Sequence, residues 1–100
     1  MIEAFGKRYD SEDAFAFAMH GEAMKSFDLF FADVDCEKRA RYLQVRVSMC
    51  KTLSRLADIF AHEVFSGIMD AEAAMAYMQD VFQNKKHAGQ FRPHQYKEIR

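Results

Sequence analysis

One hundred residues, half of them apolar and with ten Phe, four Tyr and no Trp, are enough for one packed domain and too apolar for wholesale disorder. The net charge of −1 and a pI near 6.4 argue against a dedicated nucleic-acid domain, which is ordinarily basic. One proline and four glycines exclude a turn-rich all-β fold and predict helices with short connections.

The N-terminus, Met1 to Arg8, lacks an apolar stretch behind a basic one, so no signal peptide is read there. Asp10-Ser11-Glu12-Asp13 offers an N-cap followed by acids that suit the positive end of a helix dipole. A first helix is predicted over Ser11 to Phe31. At 100° per residue, Ala16, Met19, Ala23, Met24, Phe27, Phe30 and Phe31 share one face, with His20 inside the arc. Phe15 and Leu29 fall on a different side, beside Glu22, and are read as candidate partner contacts.

Ala32 to Asp35 is a connection, with Asp35 as the cap of a second helix over Cys36 to Phe65. Leu43, Met49, Cys50, Leu53, Ala57, Phe60, Ala61 and Val64 line one side; Arg41, Gln44, Ser48, Lys51, Arg55, Asp58 and His62 line the other. The apolar arc spans half the circumference, wider than a helix with one neighbour needs, so this helix is expected to be central and to touch two elements. Arg46 interrupts that arc, with Arg39 two turns earlier on nearly the same line. A charge there requires a partner. The expectation is an ion pair with Asp28, Asp33 or Asp35, the alternative a partner chain.

Ser66-Gly67 stops the helix, Gly67 being able to take the left-handed conformation that closes one. Asp70 then caps a third helix over Ala71 to Lys86, with Ala71, Ala74, Met75, Met78, Val81 and Phe82 as its buried stripe. Gly89 ends it. Residues 90–100 form a basic tail, extended or partly ordered, with Phe91, Tyr96 and Ile99 as apolar anchors beside Arg92. The fold expected is all-α: a three-helix antiparallel bundle over residues 1–89 around a long central helix.

Charge is segregated along the chain. Residues 1–35 hold eight acids and three bases, and 36–55 one acid and six bases. Residues 56–80 hold five acids and no Lys or Arg; 81–100 hold one acid and five bases. Antiparallel neighbours would then carry opposite signs, favouring one topology over its competitors.

Nothing in the sequence points to catalysis, a cofactor or a metal. His62-Glu63 resembles the start of HExxH, but position 66 is serine. Ser48, Thr52 and Ser54 sit mid-helix without a nucleophile elbow, and no glycine-rich phosphate loop occurs. Cys36 and Cys50 are too few for a disulfide framework and are read as free thiols in a reducing cytosol. No apolar run reaches the roughly 18 residues of a membrane span. The expected function is a non-enzymatic protein-binding module, a small regulator, inhibitor or adaptor of bacterial or phage type. A protein partner or a second copy would meet Arg39, Arg46, Lys51, Arg55, Phe15, Leu29, Phe91, Arg92 and Tyr96. Nucleic acid is the second choice, through the ladder Arg41, Lys51 and Arg55 and the tail, whose Lys85, Lys86, Arg92, Lys97 and Arg100 accompany stackable Phe91 and Tyr96.

Overall fold

The computed structural model describes residues 1–32 and 38–87, the last four of these by their backbone alone. The chain is mostly helical, with three helices and a hairpin in the order β1 (Ile2–Ala4), β2 (Lys7–Tyr9), α1 (Glu12–Phe30), α2 (Arg39–Phe65), α3 (Ala71–His87). The three helices are those of the expected all-α fold, and a short hairpin that the sequence does not announce precedes them. Its strands pair antiparallel, Ile2 opposite Tyr9 and Ala4 opposite Lys7. Phe5 and Gly6 form the turn with φ of 56° and 75°, positive at both central positions as a type I′ turn requires. Gly6 suits that geometry, whereas Phe5 adopts it against its own preference. Gly6→Ala is expected to cost about 1 kcal/mol, because any Cβ is strained at this φ even though the space around it is open. Urea titration of the two chains measures it.

Each helix starts or stops where the chemistry dictates. The Ser11 side chain accepts a hydrogen bond from the Ala14 N–H at 3.2 Å, capping α1. The Asp70 carboxylate does the same for α3 through the Ala73 N–H at 2.8 Å. The end of α2 is a Schellman closure: Ile68 N–H reaches Glu63 C=O at 2.9 Å and Gly67 N–H reaches Val64 C=O at 3.1 Å, with Gly67 at φ 80°. The expected cap at Asp35 and the residues from Cys36 to Glu37 lie outside the described residues, so α2 is described from Arg39.

The helices share one core. From α1 it takes Phe15, Ala16, Met19, Ala23, Met24 and Phe27, with Phe31 just beyond the helix; α2 gives Met49, Leu53, Ala57, Ala61 and Val64, and α3 gives Ala74, Met78 and Phe82. Pairs across α1 and α2 run in opposite senses, Glu12 with His62, His20 with Cys50 and Asp28 with Arg46. Aromatic rings close one end of this core, with Phe27 5.3 Å from Phe82 edge-on and 5.8 Å from Tyr42 in a stack.

Helix α2 does touch two elements, α1 through Arg46 and α3 through Phe60, whose ring stacks 5.9 Å from Tyr77. It does not hold the centre alone. Helix α1 packs on α2, on α3 and on β2. Leu43, expected in the core, is instead exposed. The inward line of the first turns of α2 passes through Tyr42, Arg46 and Met49, and Leu43 stands about 100° away from Tyr42.

Candidate functional site

The best-defined polar arrangement joins the last turns of α1 to the first turns of α2. Arg46 Nε donates to Asp28 Oδ1 at 2.6 Å and Arg46 Nη2 to Asp28 Oδ2 at 2.8 Å, a two-pronged pairing of planar guanidinium and planar carboxylate. Tyr42 donates its hydroxyl to the same Oδ1 at 3.0 Å. Arg39 stands with its guanidinium carbon 5.6 Å from the centre of the Tyr42 ring. Of the three acids the sequence offered to Arg46, the structure assigns Asp28; Asp33 and Asp35 lie outside the described residues.

The electrostatics follow from these contacts. The hydrogen bond from Arg46 holds the Asp28 carboxyl below its ordinary value, against an opposing push from burial and with help from Tyr42. Arg46 is raised further above its already high value, first by that same hydrogen bond. Tyr42 is pushed up, first by burial and then by its bond to Asp28. All three therefore keep one protonation state across the physiological range. The cluster is a fixed strut whose outer edge is charged, since Asp28 and Arg46 remain 44% and 37% exposed.

Beyond the strut, α2 turns a row of cations outward. Arg41, Lys51 and Arg55 are exposed on one face together with Gln44 and Ser48, and none of the three forms an ion pair among the described residues. From Arg41 to Arg55 this ladder is about 21 Å long at 1.5 Å per residue. A cation that forms no ion pair within the described residues remains free to meet an anionic group from outside.

The other expected contacts divide sharply. Leu29 is 78% exposed, as a surface contact must be. Phe15 is not a surface residue. It is wholly buried, with rings of Phe5 at 6.3 Å, Tyr9 at 5.6 Å and Phe65 at 5.9 Å around it. The hairpin, unseen in the sequence, covers the side of α1 that otherwise looks unpartnered. Phe91, Arg92 and Tyr96 lie outside the described residues.

Other exposed groups were missed. Phe17 is 81% exposed and Val47 more than half exposed. Ile59, which helical spacing places close to the polar side of α2, is more than half exposed as well. For Phe17 a signal existed, since it lies two residues from Phe15 and so on nearly the opposite side of α1. His20, expected inside the apolar arc, is half-buried and donates from Nε2 to the Cys50 carbonyl at 3.0 Å; a carbonyl only accepts, so Nε2 carries the proton. Its distance to Cys50 Sγ is 3.5 Å, and Cys50 is a free thiol. Among the described residues no group of three or more His, Cys, Asp or Glu gathers as metal ligands would, and no helix is long and apolar enough to cross a membrane.

No protein-family model, curated protein or solved structure matches the chain.

Proposed function

We propose that this protein is a non-enzymatic protein-binding module, a small regulator, inhibitor or adaptor built as a three-helix antiparallel bundle and acting in the cytoplasm. The observation that carries the reading is the outward row of cations on α2, with Arg39 beside it on the strut and no ion pair among the described residues for Arg41, Lys51 or Arg55. Exposed Leu43, Val47 and Ile59 on the same helix, with Leu29 on α1, add apolar area beside the charge, the mixture that protein interfaces use. Arg46 contributes indirectly, by fixing α2 against α1, as well as through its exposed edge.

A second reading is favoured by one observation: a helical ladder of cations also fits a row of phosphates. The net charge of −1 weighs against it. Capture on immobilised protein separates the two. A protein-binding module is expected to retain one defined partner after nuclease treatment and to lose it in the Lys51→Glu/Arg55→Glu variant, by about tenfold or more in affinity. Retention that disappears with nuclease favours nucleic acid, and a partner held equally by the variant removes α2 from the interface. Light scattering of the free protein at tens of micromolar reports whether the partner is a second copy, through a mass twice that of the chain.

A further inference from the structure

A second surface, of opposite sign, is built from other elements of the molecule. A cleft of about 510 Å³ opens where the hairpin meets α1 and α3. Its floor is apolar, with Ala4, Phe5 and Met75, and its rim carries three carboxylates from three different elements: Glu3 on β1, Glu22 on α1 and Glu72 on α3. That volume falls within the range of ligand sites.

The rim charges are held loosely or not at all. Glu3 meets Arg8 at 3.4 Å and Glu22 meets Lys25 at 3.5 Å, with every side chain in these two pairs more than a third exposed, so water screens both and an incoming cation can replace the local one. Glu72 forms no ion pair among the described residues. Among the described residues no lysine or arginine lines the cleft. Its chemistry asks for positive charge above an apolar contact.

The wall of the cleft says what form that ligand takes. Glu3 and Ala4 come from β1, and β1 pairs only with β2, so among the described residues one edge of β1 is unpaired backbone. An unpaired edge is a template for one more strand, whose alternate side chains would lie over the floor and along the rim. We propose that this cleft is a docking groove for an extended segment of a partner protein that alternates lysine or arginine with aromatic or aliphatic residues. The proposal stands apart from the cationic face of α2, which lies on other residues and calls for the opposite charge.

The test titrates the full chain into a fluorescein-labelled hexapeptide of sequence Lys-Val-Lys-Phe-Lys-Val, with Glu-Val-Glu-Phe-Glu-Val as control, following anisotropy and the exchange of the β1 amides. Expected are saturable one-to-one binding of the cationic peptide only, slower exchange at β1, and affinity at least about tenfold weaker for Glu22→Gln/Glu72→Gln. Both glutamates are outside the core, so these neutral replacements leave the fold in place. Lys51→Glu/Arg55→Glu should bind the peptide as the parent chain does, which keeps failure of the groove distinct from failure of the α2 surface. Equal binding of the acidic control, no saturation, or indifference to the glutamate pair would overturn the proposal. Probe affinity that falls as the chain is concentrated would assign the groove to a second copy and overturn the partner.

Discussion

Phe27→Ala is expected to lower the unfolding free energy by about 3–5 kcal/mol, the range for truncating a fully buried aromatic residue. Phe27 has no exposure at all, and its ring meets those of Phe31 at 4.8 Å, Phe82 at 5.3 Å and Tyr42 at 5.8 Å. Those rings come from the end of α1, from α3 and from α2, so the cavity opens where all three helices meet. Collapse around it is hard because Tyr42 is tied to Asp28 and cannot swing inward without losing that bond. Domains of this size have roughly 5–15 kcal/mol to lose, so the variant should sit near the edge of folding. The melting temperature should fall by more than 12 °C, at about 4–8 °C per kcal/mol. Leu29→Ala, two residues away and exposed, should stay within about 0.5 kcal/mol of the parent. Equal losses for the two would mean that the aromatic cluster is not where the stability resides.

The same contrast shows what a sequence of this kind discloses. The helices are legible because each repeats its apolar residues at helical spacing and is punctuated by chemistry with a local cause: Ser11 and Asp70 as caps, Gly67 as closure. Arg46 is legible as an anomaly, and its partner as one of three acids, because a charge on an apolar arc must be answered. The hairpin was not legible. Three-residue strands carry almost no periodicity, and a Phe5-Gly6 turn lacks the Asn-Gly or Asp-Gly signature of a type I′ hairpin. That one omission inverted Phe15, which looks like a free contact on a lone helix and is a sealed core residue beneath a hairpin. Leu43 failed for a different reason. An apolar arc defines directions around a helix but not which neighbour reaches that far, and at this end α2 turns Tyr42 and Arg46 inward instead. The acid-rimmed cleft draws Glu3, Glu22 and Glu72 from three elements and exists only once they are packed. No spacing along the chain anticipates it.

Arg46→Glu is expected to cost about 2 kcal/mol at neutral pH, and the way that cost varies with pH identifies its origin. The parent pair makes two charge-assisted hydrogen bonds, worth more than neutral ones, but both side chains are over a third exposed, so solvent screening trims the total. The variant removes both bonds and places a second carboxylate against Asp28. In the parent, the Asp28 carboxyl titrates lower in the folded state than in the unfolded chain, where its value is about 3.9. The stability it brings is thus complete above about pH 5 and is lost as pH falls through the folded value. In the variant the two facing carboxylates resist ionising together, so folding favours their protonated form and stability should rise as pH falls toward 4. The deficit relative to the parent should accordingly be widest near pH 7 and close on the acid side. Urea midpoints taken from pH 4 to pH 7 would show it. A deficit that stays constant across that interval would mean that the apolar stem of the arginine matters more than its charge. The exchanged pair Asp28→Arg/Arg46→Asp should recover at least half the loss if the bond itself is the cause. It also isolates the role of Arg46 in recognition. A partner that binds the exchanged chain as tightly as the parent needs only the strut, whereas one that binds the parent alone reads the arginine where it stands.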